Sequence, residues 1–167
     1  HGVHAHYIAY GAPIVTPDAT RLAEVGVAAR GYHLVVARFE PENHLQEIVA
    51  GYVASRAQMP LLVVGDAPYA DAYRAQVGAA AGGDPRVRFL GSVWDPDLLD
   101  TLYAHAMTYL HGHSVGGTNP SLLRALGAGA PVSAYDVVFN REVAAGAGVY
   151  FTTPAQVAVL CETAELY

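Results

Sequence analysis

The stretch HLVVARFEPENHLQEIVAGYVASR, residues 33–56, decides the fold. It opens with an apolar run that shows no polar alternation, the pattern of a strand covered on both faces. The run ends at Arg38, and after a short polar break the chain resumes as a helical stretch from Asn43 to Arg56.

The same unit recurs along the chain. LLVVGD (61–66) precedes YADAYRAQVGAA (69–80), RVRFLGS (86–92) precedes PDLLDTLYAHA (96–106), and MTYLHG (107–112) precedes NPSLLRALGAG (119–129). PVSAYD (131–136) precedes NREVAAGA (140–147), and GVYFTT (148–153) precedes PAQVAVLCETAEL (154–166). Six strand–helix units in succession predict an α/β fold, a doubly wound, Rossmann-like parallel sheet. Gly/Pro-rich breaks such as GGDP (82–85) read as turns between units. Upstream, HYIAYGAP (6–13) reads as a further strand-like segment.

Composition bounds the function. A chain of 167 residues with 53% hydrophobic and 14% charged side chains can bury one substantial core, so residues 1–167 are expected to form one domain. The net charge of −6 and the lack of any basic cluster argue against nucleic acid and anionic membrane surfaces as partners. The lone Cys161 excludes an internal disulfide framework and a multi-cysteine metal site, and suits a reducing cytoplasm. No apolar run is long enough to span a bilayer. The sequence starts at His1 without a Met and stops in a helix-like stretch, so it is expected to be a piece of a longer protein.

In such a sheet, ligands bind beyond the carboxyl ends of the strands, where the strand order reverses. The residues there are Arg38, Asp66, His111 with His113, and Asp136. The segment HGHSVGGTNPSLLRALGAGAPV (111–132) lies on one of these edges. Gly116 and Gly117 let the backbone turn sharply, Asn119 reads as an N-cap and Pro120 as the first helical residue. Free amides from Gly117 to Ser121 would then form an anion site of the kind phosphates occupy, although a turn that merely joins strand to helix has the same composition. His111 and His113 face either a ligand or only the rim. Asp66 reads as a cap for the following turn as well as a ligand contact, and Glu142 as a hydroxyl contact or a first-turn carboxylate. Tyr10 reads as packing, and His1, His4 and His6 lack the partnering carboxylate or cysteine that a metal site needs.

The segments YIAYGAP, VVARFEPEN, VVGDAPY, VRFLGSV, LYAHAMTYLHGH, GGTNPSLL and GAPVSAYD, in this order, resemble the C-terminal, donor-binding domain of retaining GT-B glycosyltransferases of group 1. HGHSVGGTNPSLL with AYDVVFNREV is similar to a bacterial rhamnosyltransferase-like subgroup. The resemblance implies one half of a GT-B fold that takes a hexosyl or deoxyhexosyl group from a nucleoside-diphosphate sugar, with no cofactor or metal. It also implies a separate N-terminal domain for a saccharide or lipid-linked acceptor, and a cytoplasmic place, at the inner membrane face where the acceptor is lipid-linked. Arg38 takes the position of an arginine that neutralises the donor diphosphate, and His113 falls in the donor loop; these two are the expected catalytic residues. Gly116, Gly117, Thr118, Asn119, Arg124, Asp66 and Glu142 are the expected donor-binding residues.

Three positions depart from the family pattern. Asn43 stands where a lysine usually partners the arginine, and Gly116 and Arg124 stand where the family carries two glutamates. The second glutamate accepts from ribose hydroxyls, which an arginine cannot do. A silent nucleotide-binding domain and a sugar-nucleotide epimerase on a related fold therefore stand as alternatives.

Overall fold

The computed structural model describes residue 6 and residues 8–66 and 71–167. Six parallel strands form one sheet: β1 (His33–Val36), β2 (Leu61–Val64), β3 (Val87–Gly91), β4 (Thr108–His111), β5 (Val132–Tyr135) and β6 (Gly148–Phe151). Their order is β3-β2-β1-β4-β5-β6. The helices between and after them are α1 (Leu45–Ala54), α2 (Asp71–Ala81), α3 (Pro96–Ala104), α4 (Pro120–Gly127), α5 (Val138–Ala144) and α6 (Pro154–Ala164). This is the doubly wound, Rossmann-like sheet that the six sequence units imply.

Alternation along each strand feeds two cores. Val35, Leu61 and Val63 pack with Ile48, Tyr52, Val77 and Val157 of α1, α2 and α6 on one face. Leu34, Leu62 and Val64 pack with Leu102, Tyr103, Leu122 and Ala125 of α3 and α4 on the other. Leu34, Leu61, Leu62 and Val63 are fully buried, which is why these runs show no polar alternation in the sequence.

Local signals set the helix starts. Asp95 accepts from the amides of Asp97 and Leu98 ahead of Pro96, and Thr153 with Gln156 forms a reciprocal capping box ahead of Pro154. The strand-like reading of HYIAYGAP is corrected: residues 8–18 form no strand. Pro13 and Pro17 have no N–H to give to a ladder. The segment instead lies against the end of α4, where Val15 N donates to Gly127 O at 3.1 Å. Ile8, Tyr10 and Ile14 remain exposed. A 3-10 helix, Ala19–Val25, follows it and packs Leu22 into the second core.

Candidate functional site

β1 is paired with β2 on one side and with β4 on the other, so the chain reverses its winding direction between β1 and β4. A cleft of about 790 Å³ opens above the carboxyl ends of the strands there. Its wall is built from Arg38 and Asn43 after β1, Gly65 and Asp66 after β2, and Val93 and Trp94 after β3. His111 to His113 at the end of β4 and Asn119 to Ser121 at the start of α4 complete it.

The sequence expectation for the start of α4 is met. Asn119 has extended backbone, its side chain accepts from Ser121 N at 2.9 Å, and Pro120 is the first helical residue. The positive end of the helix therefore faces the cleft. Arg38 is exposed at the rim, and its guanidinium makes no hydrogen bond or ion pair among the described residues. Asp66 lies on the same rim with Arg74 Nη1 3.3 Å from its carboxylate.

Two side chains, Asn43 in a bridging role that its sequence position did not suggest and Asn140, which sequence reasoning missed, hold the walls together. Asn43 is buried; its Nδ2 donates to the Arg38 carbonyl at 2.9 Å, which leaves its Oδ1 to accept from His113 Nδ1 at 3.0 Å. The end of β1 and the end of β4 are thus joined through one amide. Asn140 is also fully buried, and its Nδ2 donates to the carbonyls of His113 (2.8 Å) and Tyr135 (2.9 Å). His44, at the left-handed φ of 49°, stacks flat on Tyr135 and bonds Ser114 Oγ at 2.8 Å. The sequence signals for these contacts were weak: polar residues in the break after β1 and, for Asn140, one polar residue at the start of a helical stretch.

Close approach explains one glycine and backbone conformation another. A Cβ at Gly112 would overlap the Asn43 carbonyl, so the two loops can meet only with glycine there. Gly116 takes φ 105°, in the region glycine favours, whereas Gly117 does not and has open space around it.

His111 and His113 differ in burial. His111 is 3% exposed, and burial, with His113 adding to it, lowers its pKa to about 3. His113 is half-buried; burial lowers its pKa, Glu42 opposes this and Arg38 adds to it. Burial favours the neutral form of both rings.

The remaining expected contacts lie elsewhere. Gly116 and Gly117 are exposed and do not line the cleft. Thr118 and Arg124 line a neighbouring hollow of about 490 Å³ that also takes in Tyr10 and Asp100 and shares Pro120 with the cleft. Arg124 Nε bonds Asp100 Oδ1 at 2.5 Å and Nη2 bonds the Pro96 carbonyl at 2.7 Å. Glu142 is exposed on α5 and outside the cleft wall. Asp136 pairs with Arg141. His6 is exposed, and His1 and His4 lie outside the described residues. Among the described residues, no helix is long and apolar enough to cross a membrane, and no group of three or more His, Cys, Asp or Glu could hold a metal.

The O-antigen chain mannosyltransferase B of Escherichia coli is 28% identical over 132 residues, 77% of this chain and 34% of that protein. The Anabaena protein HepE, solved with UDP, superposes with a TM-score of 0.80 at 20% identity, covering 93% of this chain and 46% of that one. The C-terminal domain of the Francisella tularensis group 1 glycosyl transferase LpcC superposes at 0.73 and 14% identity, covering 94% of this chain and 89% of that domain. The chain thus spans about a third of the mannosyltransferase and less than half of HepE. The model of the glycosyl transferases group 1 family matches residues 30–165, and the chain belongs to that family.

Proposed function

We propose that the chain is the donor-binding half of a retaining glycosyltransferase and that the cleft between β1 and β4 takes a nucleoside-diphosphate sugar. The observation that carries this reading is the pairing of Arg38, free of any carboxylate among the described residues, with the start of α4 across one cleft. A permanently charged guanidinium and a helix N-terminus are two devices that stabilise a diphosphate, and more so as it gains charge on leaving the sugar. HepE was solved with UDP and with UDP-glucose, which makes UDP the first ligand to test. His113, neutral and tied to Asn43, stands beside this position as the residue that faces the transferred sugar.

The whole protein then transfers a hexosyl or deoxyhexosyl group, of the mannosyl or rhamnosyl kind, to a saccharide acceptor held by a further domain. The mannosyltransferase of O-antigen chains supports this class of acceptor. Calorimetry with UDP tests the reading: wild type binds, and Arg38→Ala weakens binding at least tenfold. Equal affinity in the two proteins overturns it.

One observation favours a second reading. Arg124, in the position of the family's ribose-binding glutamate, is engaged by Asp100 and Pro96. A domain that binds nucleotide without turnover would tolerate that replacement. Donor hydrolysis or transfer by the full-length protein separates the two.

A further inference from the structure

Among the described residues of the cleft wall, His111 is the one that is both almost fully buried and left with an unpaired polar atom: its Nε2, itself buried, has no hydrogen-bond partner there. Its protonation pattern follows from a chain of contacts. Asn119 Oδ1 accepts from Ser121 N at 2.9 Å, so it is the oxygen of the amide. Ser121 Oγ, 2.6 Å from the same oxygen, must spend its proton on it. Ser121 Oγ then accepts from the Tyr109 hydroxyl at 3.2 Å, which has no second proton to give. At 3.0 Å the Tyr109 oxygen therefore accepts from His111 Nδ1–H. Nε2 is left as a bare lone pair.

We infer that His111 is a hydroxyl-specific acceptor in the cleft, with its tautomer imposed by the Asn119–Ser121–Tyr109 relay, and that it binds a hydroxyl of the ligand's ribose or transferred sugar. A bare nitrogen lone pair attracts an O–H and repels the oxygen of a phosphate. Protonation would reverse that preference, and burial opposes protonation here. The cleft is thereby divided by chemistry: Arg38 and the start of α4 suit anionic oxygen, and His111 rejects it. A buried acceptor left unpaired costs free energy, so a ligand lacking the matching hydroxyl is discriminated against.

This inference rests on the donor-binding reading, and the test separates the two. Wild type, His111→Phe and Tyr109→Phe are titrated with inorganic diphosphate, UDP, UDP-glucose and the singly deoxygenated analogues of each nucleotide. His111→Phe keeps the ring volume and is expected to lose about tenfold in affinity for the hydroxyl-bearing ligand, a loss typical of one buried hydrogen bond. One deoxy analogue is expected to bind wild type and His111→Phe equally, and its position tells ribose from transferred sugar. Inorganic diphosphate is expected to bind both alike. Tyr109→Phe frees the tautomer and is expected to show a smaller loss of the same pattern, which keeps the test available should His111→Phe not fold.

Unchanged affinity of both variants for UDP and UDP-glucose overturns the inference while leaving the donor-binding reading intact, provided that Arg38→Ala still weakens UDP. A loss common to every nucleotide, all deoxy analogues included, points to a base N–H and overturns the hydroxyl assignment. Failure of wild type to bind any of these ligands overturns both.

Discussion

Arg124 Nε lies 2.5 Å from Asp100 Oδ1, and with the Pro96 carbonyl 2.7 Å from Nη2 it fastens the face of α4 to the first turn and flank of α3. The guanidinium borders the hollow beside Tyr10. Arg124→Ala is therefore expected to leave UDP affinity within about twofold and to lower stability by about 1 kcal/mol, the scale of a half-exposed ion pair with good geometry. Calorimetry and chemical denaturation check the two halves. Arg124→Glu is the poorer probe, since it sets a carboxylate against Asp100.

Asn43→Ala is expected to be the more costly change, although the residue is small and ends only a short 3-10 turn, Pro41–Asn43. It strips the Arg38 carbonyl and His113 Nδ1 of their partner at a site that is 7% exposed. Buried groups left in this way cost about 1–3 kcal/mol. The same variant is expected to weaken UDP binding, because the ends of β1 and β4 are no longer held in register above the sheet. Denaturation curves and calorimetry provide the readout.

The two glycines of the loop are expected to behave differently. Gly116→Ala forces a side chain onto φ 105° and is expected to cost about 1–2 kcal/mol. Gly117→Ala meets open space at an ordinary φ and is expected to change stability by less than about 0.5 kcal/mol. Gly117→Val therefore tests the ligand rather than the fold: with stability kept, a drop in diphosphate affinity is expected if the loop amides approach the phosphate.

Stability is expected to fall on acidification below about pH 6.5, the value of an unhindered imidazole. His33 and His111 are both buried, burial lowers both pKa values, and for His33 this outweighs Glu165 Oε1 at 2.9 Å. The unfolded chain takes up these protons first, so each lowered group contributes stability that is lost as pH drops through the window between its two values. For His111 that window runs from 6.5 down to about 3. Glu165 acts in the same direction from about pH 4.5 downward: burial alone would raise it, but amide donors from Gln58 and Met59 and the His33 ring hold it lower. Denaturation midpoints between pH 4 and 8 give the check, and His111→Phe is expected to flatten the slope.

The 167-residue chain by itself is expected to bind UDP and to transfer no sugar. It spans 34% of the mannosyltransferase and 46% of HepE, and the acceptor is proposed to dock on the portion beyond it. Orientation of two reactants contributes on the order of 7–11 kcal/mol of a barrier, and a donor site alone does not supply it. Nucleotide release followed with and without acceptor extract measures this; robust acceptor-dependent release by the chain would contradict it.

Most strands and helices were legible from local chemistry. Buried strands such as Leu61–Val64 show as uninterrupted apolar runs because both faces are covered, and Asn119-Pro120 marks a helix start through chemistry confined to neighbouring residues. The sequence also brought Arg38, Asp66 and the two histidines to strand ends, since a strand that stops at a polar residue delivers that residue to the sheet edge. HYIAYGAP misled because its apolar content reads as a strand, whereas its described residues from 8 on form none and Pro13 has no ladder donor to give. Only the tertiary structure decided that β1 sits beside β4, which puts Arg38 and Asn43 across from His111 and His113 although some 70 positions separate Asn43 from His113. It likewise turns Arg124 to Asp100 and leaves His111 Nε2 without a partner among the described residues. Periodicity and capping are local and act within a few residues. Partner choice, side-chain direction and tautomer depend on what the packed neighbours leave unsatisfied, and no stretch of sequence carries that information alone.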